Sequence, residues 1–211
     1  MIPSLKNRHI VVTGAGGGLG PSVVEALQAS GAICHAPSRS ELDLTEESAV
    51  ARYYAALPSL WASVHVAGGF AMGSAEETSL QAFNAQWQIN TVTAFLCCRE
   101  AVRRMKSGGP GGGRIVNVAA KAALDLPAGK LAYVTAKGAL IAMTRALAAE
   151  ARPAGILVNA VVPDTIDTPA NRQAMPKGDF SLWTKPASIA GTLAWLVSPE
   201  NESVSGALVP V

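Results

Sequence analysis

Tyr133 and Lys137 stand four residues apart in Tyr133-Val-Thr-Ala-Lys137. On a helix, that spacing puts both side chains on one face. A phenol ordinarily keeps its proton up to a pKa of about 10. An ammonium beside it favours the phenolate and draws that value down. A tyrosine paired in this way can pass a proton near neutral pH. In another setting the same two residues are a plain surface pair, so the reading depends on what surrounds them. A second constellation is Thr13-Gly-Ala-Gly-Gly-Gly-Leu-Gly20. Gly14, Gly16, Gly17, Gly18 and Gly20 let the backbone turn tightly. They also let a pyrophosphate approach the amides of the helix that Leu19 opens. Any tight turn can use glycine; the position between an apolar run and a helix is what points to a nucleotide.

The elements that must hold these residues can be read from the alternation of apolar runs and helical stretches. Strands are expected at His9–Val12, Ala32–Ala36, Trp61–Val66, Arg114–Val118, Ile156–Val162 and Ala207–Val209, with a very short one at Ser40–Leu44. Helices are expected at Leu19–Ala29, Glu46–Leu57, Leu80–Met105, Leu131–Ala151 and Pro186–Val197. The glycine-rich run from Ser107 to Gly113 reads as a surface loop. Strands that are apolar throughout are buried on both faces. Strands alternating with helices make right-handed crossovers into a parallel sheet. The expected fold is a single doubly wound α/β domain of the Rossmann type over 1–211, in three layers. Ligands of such a fold bind beyond the carboxyl ends of the strands.

Composition narrows the function. Of 211 residues, 49% are hydrophobic and only 15% charged, which excludes a disordered chain. Seventeen basic against fifteen acidic residues give a net charge of +2, too balanced for a nucleic-acid partner or an anionic membrane. Mean hydropathy is +0.26, yet no uncharged apolar run reaches membrane-spanning length. The apolar run after Lys6, Arg8 and His9 is cut at Thr13, so it reads as a strand and not as a leader. Cys34, Cys97 and Cys98 have no metal-ligand spacing. No metal is expected, and the location is expected to be cytoplasmic.

The spacing Thr13-Gly14-x-x-x-Gly18-x-Gly20 resembles the short-chain dehydrogenase/reductase family, and the resemblance runs from about Arg8 to Val209. It implies a nicotinamide dinucleotide held by the glycine loop and by Ala67, Gly68 and Gly69, where only Ala67-Gly68 matches the family's turn. It implies Asn90 as a structural and catalytic asparagine, Tyr133 as proton donor, and Lys137 on the nicotinamide ribose. Asn159-Ala-Val-Val-Pro163 and Thr165-Ile-Asp-Thr168 resemble the segment that closes over nicotinamide, giving Pro163, Thr165, Ile166 and Thr168 as cofactor contacts. Asp43 resembles the family's adenine-contacting aspartate. The family's third strand and the helix before it shrink here to Ser40–Leu44.

One position departs from the pattern. The family's catalytic serine belongs thirteen residues before the tyrosine, where this chain has Ala120. Ala119-Ala-Lys-Ala-Ala-Leu-Asp125, Val66-Ala-Gly-Gly-Phe70 and Asp167–Thr184 resemble the dihydropteridine reductase branch, which also lacks that serine. Quinonoid dihydropterin is a conjugated ring system, so proton donation from Tyr133 could suffice. Two alternatives stay open: reduction of another small carbonyl or imine, or a non-catalytic dinucleotide-binding module. At the end of the second strand no acid appears until Glu41; Ser38 and Arg39 stand there instead. Arginine can hold a phosphate bidentately, so NADP(H) is expected over NAD(H). Met175, Phe180 and Trp183 can belong to the ligand loop, or simply cap the core or a dimer contact. Trp87, His65, Cys97 and Cys98 are expected to be packing residues. The two long alanine-rich helices are expected to pair copies into a homodimer or homotetramer.

Overall fold

Successive residues of a strand point to opposite faces, so the apolar runs of this chain need cover on both sides. A computed structural model describes residues 4–109 and 111–211; Met1, Ile2, Pro3 and Pro110 lie outside the described residues. Strands β1 (His9–Thr13), β2 (Ile33–His35), β3 (Ala62–His65), β4 (Gly113–Val118), β5 (Ile156–Val162) and β6 (Leu208–Pro210) form one sheet in the order β2-β1-β3-β4-β5-β6. Every neighbouring pair is parallel. On one face, Ile10, Val12, Ala62, Val64, Val116 and Val161 pack against helix α1 (Gly20–Ala29) and helix α8 (Pro186–Leu196). On the other, Val11, Ile115, Ile156 and Val158 pack against α2 (Glu47–Ala55), α4 (Thr93–Ser107) and α6 (Leu131–Ala151). The three layers and the Rossmann-type order are as expected.

Two expectations change. No strand forms at Ser40–Leu44; the segment is a series of turns. The polar side chains there satisfy the backbone locally, since Ser38 N–H donates to Glu41 and Thr45 N–H donates to Asp43. Such bonds compete with a strand ladder. The helix expected over Leu80–Met105 is also interrupted. Helix α3 (Leu80–Trp87), with Ser79 accepting from Ala82 N–H at its start, gives way to a π-helical turn at Gln88–Val92 before α4 resumes. In and beside that turn, Thr93 Oγ1 donates to Ile89 O at 2.8 Å and Asn90 Nδ2 to Gln86 O at 3.1 Å. Such π turns widen a helix by one residue and re-aim a side chain; here the side chain is Asn90.

Two short helices were not anticipated, α5 (Ala122–Asp125) and α7 (Pro169–Ala174). Both lie in connections leaving the carboxyl ends of β4 and β5. Trp87, expected in the core, is 38% exposed. Cys97 and Cys98 are buried between α4 and the sheet, as expected.

Candidate active site

The strand order turns back between β1 and β3, and the loops after these two strands meet. Gly14 has φ +72°, and a Cβ there would fall 2.5 Å from Ala67 N. No other residue fits both the conformation and the space. Gly17 N–H closes the turn on Gly14 O at 3.0 Å. Gly16, Gly17 and Gly18 are exposed, and a Cβ on Gly16 would meet nothing within 4 Å. Leu19 anchors the loop in the core, and Gly20 begins α1, whose first turn carries no acidic residue. The result is an open cradle of glycine backbone at a helix start, which fits a pyrophosphate.

Across the cradle lies the loop from β5. Thr168 Oγ1 accepts from Asn171 N–H at 3.2 Å to start α7, and its methyl packs at Gly18, where a Cβ would come within 2.8 Å of it. Asn171 Nδ2 donates to Ile166 O at 2.8 Å. Arg172 grips Asp167 through Nε and one terminal nitrogen, at 2.6 and 2.8 Å. Thr165 O accepts from Thr184 N–H at 2.9 Å, and Pro163 O accepts from Lys121 N–H at 2.8 Å. Phe180 and Trp183 meet edge to face at 4.7 Å, with the Arg172 guanidinium over Phe180. The loop over 163–185 is thereby tied into one shape against the glycine turn.

Tyr133 and Lys137 share one face of α6 near its start. Lys137 is buried, and its Nζ donates to Val118 O at 2.8 Å. Gly68 lies against it: a Cβ would fall 3.2 Å from Lys137 Nζ and 2.8 Å from Asn90 Oδ1. Asn90 Oδ1 accepts from Gly69 N–H at 3.1 Å, while its Nδ2 donates to Gly69 O at 2.9 Å. Gln86 Oε1 completes the amide's environment at 3.2 Å. Asn90, Lys137, Gly68 and Gly69 are thus brought together, and Tyr133 stands one turn along. The Phe70 ring meets the Tyr133 ring edge-on at 4.9 Å. Ala119 and Ala120 are buried, so the position of the family serine is apolar.

The electrostatics of the pair differ from the expectation. Burial pushes the Tyr133 phenol up to about 12 and the Lys137 ammonium down to about 8. The lysine's proton points to Val118 O and not to the phenol, so the phenol gains no stabilised charge from it in the protein alone. Ser38, Arg39 and Asp43 follow β2 on the exposed rim. Asp43 Oδ1 accepts from Thr45 N–H at 2.9 Å and Thr45 Oγ1 at 2.7 Å, which holds its carboxyl below the usual range.

Several features were not anticipated. The Val118 carbonyl has no residue type to reveal it. Phe70 beside Tyr133 needed the tertiary fold. Glu41 on Ser38 could have been found, because Ser-x-x-Glu is a capping-box spacing. His65 is buried and structural, as expected. Among the described residues no group of three His, Cys, Asp or Glu side chains could hold a metal.

The profile of the enoyl-(acyl carrier protein) reductase family matches residues 7–211. The chain is 29% identical over 255 residues to chanoclavine-I dehydrogenase ifgE of Penicillium roqueforti (strain FM164), covering 99% of this chain and 97% of that one. It is 30% identical over 241 residues to the uncharacterized short-chain type dehydrogenase/reductase y4vI of Sinorhizobium fredii (strain NBRC 101917 / NGR234), covering 97% of this chain and 43% of that one. In three dimensions it resembles ElxO with NADP bound, at a TM-score of 0.88 and 21% identity over 97% of each chain, a likeness of fold. The chain belongs to the short-chain dehydrogenase/reductase family and is an NAD(P)-dependent oxidoreductase of that type.

Proposed function

We propose that this protein is an NADPH-dependent reductase of a conjugated cyclic imine, with a quinonoid dihydropterin-like ring as the substrate class. The observation that carries the reading is the buried Ala119-Ala120 pair where the family serine would polarise an isolated carbonyl. A conjugated ring spreads the developing charge and needs less help from a second hydroxyl. Tyr133 then acts as the sole side-chain acid, and burial, which lifts its phenol to about 12, keeps the hydroxyl protonated. Phe70, Leu124, Leu126, Met175 and Leu182 are exposed on the connections that follow β3, β4 and β5. They supply apolar surface for a flat ring.

A bound nicotinamide would supply the hydride. Gly14, Gly16, Gly17, Gly18 and Gly20 would hold its pyrophosphate, and Ser38, Arg39 and Asp43 the adenosine end. Gly68 and Gly69 leave room beside Asn90 and Lys137 for the ribose, with Pro163, Thr165, Ile166 and Thr168 on the opposite side. Asn90 fixes the Gly69 peptide, and Lys137 keeps a proton at the ribose position. ElxO was solved with NADP bound; that cofactor, together with Arg39, supports NADPH here. The working form is a homodimer or homotetramer in the cytoplasm. The three thiols have their pKa values pushed up by burial, which suits them to packing.

The test is NADPH oxidation with quinonoid dihydropterin beside a panel of ketones and quinones. Pterin turnover that falls about 10²–10⁴-fold in Tyr133→Phe is expected. Robust ketone turnover with none on pterin would reject the substrate class. Tight NADPH binding with no turnover at all would favour a non-catalytic binding module.

A further inference from the structure

The amino end of the sheet, opposite the glycine turn, holds a cavity of about 290 Å³. It lies beside the starts of β1, β3 and β4, between Arg8, His9, Trp61, Arg104 and the glycine loop after α4. Among the described residues no Asp or Glu lines it. The Arg8 guanidinium lies 3.8 Å from the centre of the Trp61 ring, and that of Arg114 lies 4.8 Å from it. Trp61 Nε1 donates to Val197 O at 2.7 Å, which fixes the ring. Arg104 Nη2 donates to Leu57 O and Pro58 O at 3.0 and 2.9 Å, which fixes its guanidinium beside the cavity. Among the described residues none of these three arginines pairs with a carboxylate.

Positive charge gathered without an acid is costly. Arg114 is buried; its Nη1 and Nη2 donate to Gly113 O and Asn201 O at 2.9 and 2.7 Å, and its Nε has no partner. Burial and then the like charge of Arg8 hold its guanidinium below the ordinary range. An anion at Arg8 offsets that repulsion. The loop leaves an open side, since a Cβ on Gly109 or Gly111 would meet nothing within 4 Å. Bare backbone there lets a ligand come close. We propose that this cavity binds a phosphate ester the size of a sugar phosphate, with the Arg8 guanidinium on the phosphate. Such an ester carries about 1.5 to 2 negative charges at neutral pH, which answers clustered guanidiniums better than one carboxylate does. The planar fork of arginine suits its oxygens. The volume is close to the roughly 300 Å³ at which small-molecule sites begin, more than one inorganic phosphate fills. The site lies at the far end of β1 from the cofactor cradle and is separate from it.

The test titrates ribose 5-phosphate, ribose, inorganic phosphate and succinate calorimetrically into the full chain and into Arg8→Ala. Ribose 5-phosphate is expected to bind the full chain most tightly, and ribose not at all. Arg8→Ala should weaken the ester about tenfold or more, the loss of a hydrogen bond to a charged group, with its melting temperature as the check on folding. Arg8→Lys keeps the charge and should weaken it less. In the unaltered chain, which has four tryptophans, the indole N–H resonance of Trp61 should move with binding. Inorganic phosphate or succinate binding as tightly overturns the ester class. The site itself is overturned by an absence of binding, or by binding that Arg8→Ala leaves intact. A shift of Trp183, in the loop against the glycine turn, without one of Trp61 overturns it too.

Discussion

Lys137 is the residue of the pair whose charge can change within the working range of the protein. Its burial lowers it to about 8, whereas the Tyr133 phenol is lifted to about 12. Reduction needs the phenol protonated, and below pH 10 it is. The lysine needs its proton to present a cation beside Gly68, and it loses that proton as pH rises through about 8. The value of kcat/KM for reduction should therefore fall above about pH 8, because this ratio reports the free enzyme. An arginine stays charged at any working pH, so Lys137→Arg should lose that limb even if its rate is lower. A pH profile of both proteins checks this, and the same limb in each would assign it elsewhere. The residues legible in the sequence were those whose chemistry is local: glycines in a turn, and a tyrosine and lysine one helical turn apart. What stayed hidden was the burial that decides their charge. Lys137 Nζ donates a hydrogen bond to Val118 O, a backbone atom with no sequence signature.

At the scale of elements, the strands were legible because most are apolar runs bounded by turns, and the parallel sheet followed from their alternation with helices. The segment Ser40–Leu44 misled, because its side chains bond their own backbone more readily than a neighbouring strand. The interruption at Gln88–Val92 was invisible because its residues are compatible with an α-helix; the tertiary bond from Thr91 Oγ1 to Ala136 O, 2.9 Å long, ties the turn to α6. A buried chain of hydrogen bonds also fixes α6 to the sheet. Tyr54 Oη lies 2.7 Å from Ser63 Oγ, which lies 2.8 Å from His65 Nε2. His65 Nδ1 lies 2.8 Å from Asn117 Oδ1, and Asn117 Nδ2 donates to Thr144 Oγ1 at 2.9 Å. Because Asn117 Oδ1 only accepts, Nδ1 carries the ring proton and Nε2 accepts from Ser63. With these roles the imidazole is neutral, and burial keeps His65 neutral by lowering it to about 4. The unfolded chain takes up that proton near pH 6.5 and the folded one does not. The stability is thus present above about 6.5 and is lost as pH falls toward about 4, by up to about 3 kcal/mol. Urea melts across that window should show the loss, and His65→Asn should flatten it. An equal slope in both would place the effect on carboxylates.

For the molecule as a whole, the remaining question is what covers the outer faces of α4 and α6. Helix α6 has 21 residues, roughly 30 Å of rod at 1.5 Å per residue. Its inner side is spent on the sheet through Ala148 and Ala151 and on the site through Lys137. Its outward side shows Ala142, Ala146 and Ala149, small residues that let another helix approach closely. Phe95, at 46% exposure, projects from α4. Two such helices from each of two copies could bury about 800 Å² per copy, the size of a stable interface. Trp195 on α8, exposed at 42%, lies on the opposite layer and would serve a second pairing in a tetramer. Among the described residues no helix is long and apolar enough to cross a membrane, so these apolar patches are not part of a spanning helix. Sedimentation velocity at tens of micromolar should therefore show at least a dimer. Ala146→Glu places a charge in the contact and should shift the protein to monomer while leaving its melting in dilute solution nearly unchanged, since position 146 is exposed in the single chain. A wild-type monomer at that concentration would remove the helix pairing, and a dimer indifferent to Ala146→Glu would move the contact to another face, with Trp195→Ala as the next substitution to sediment.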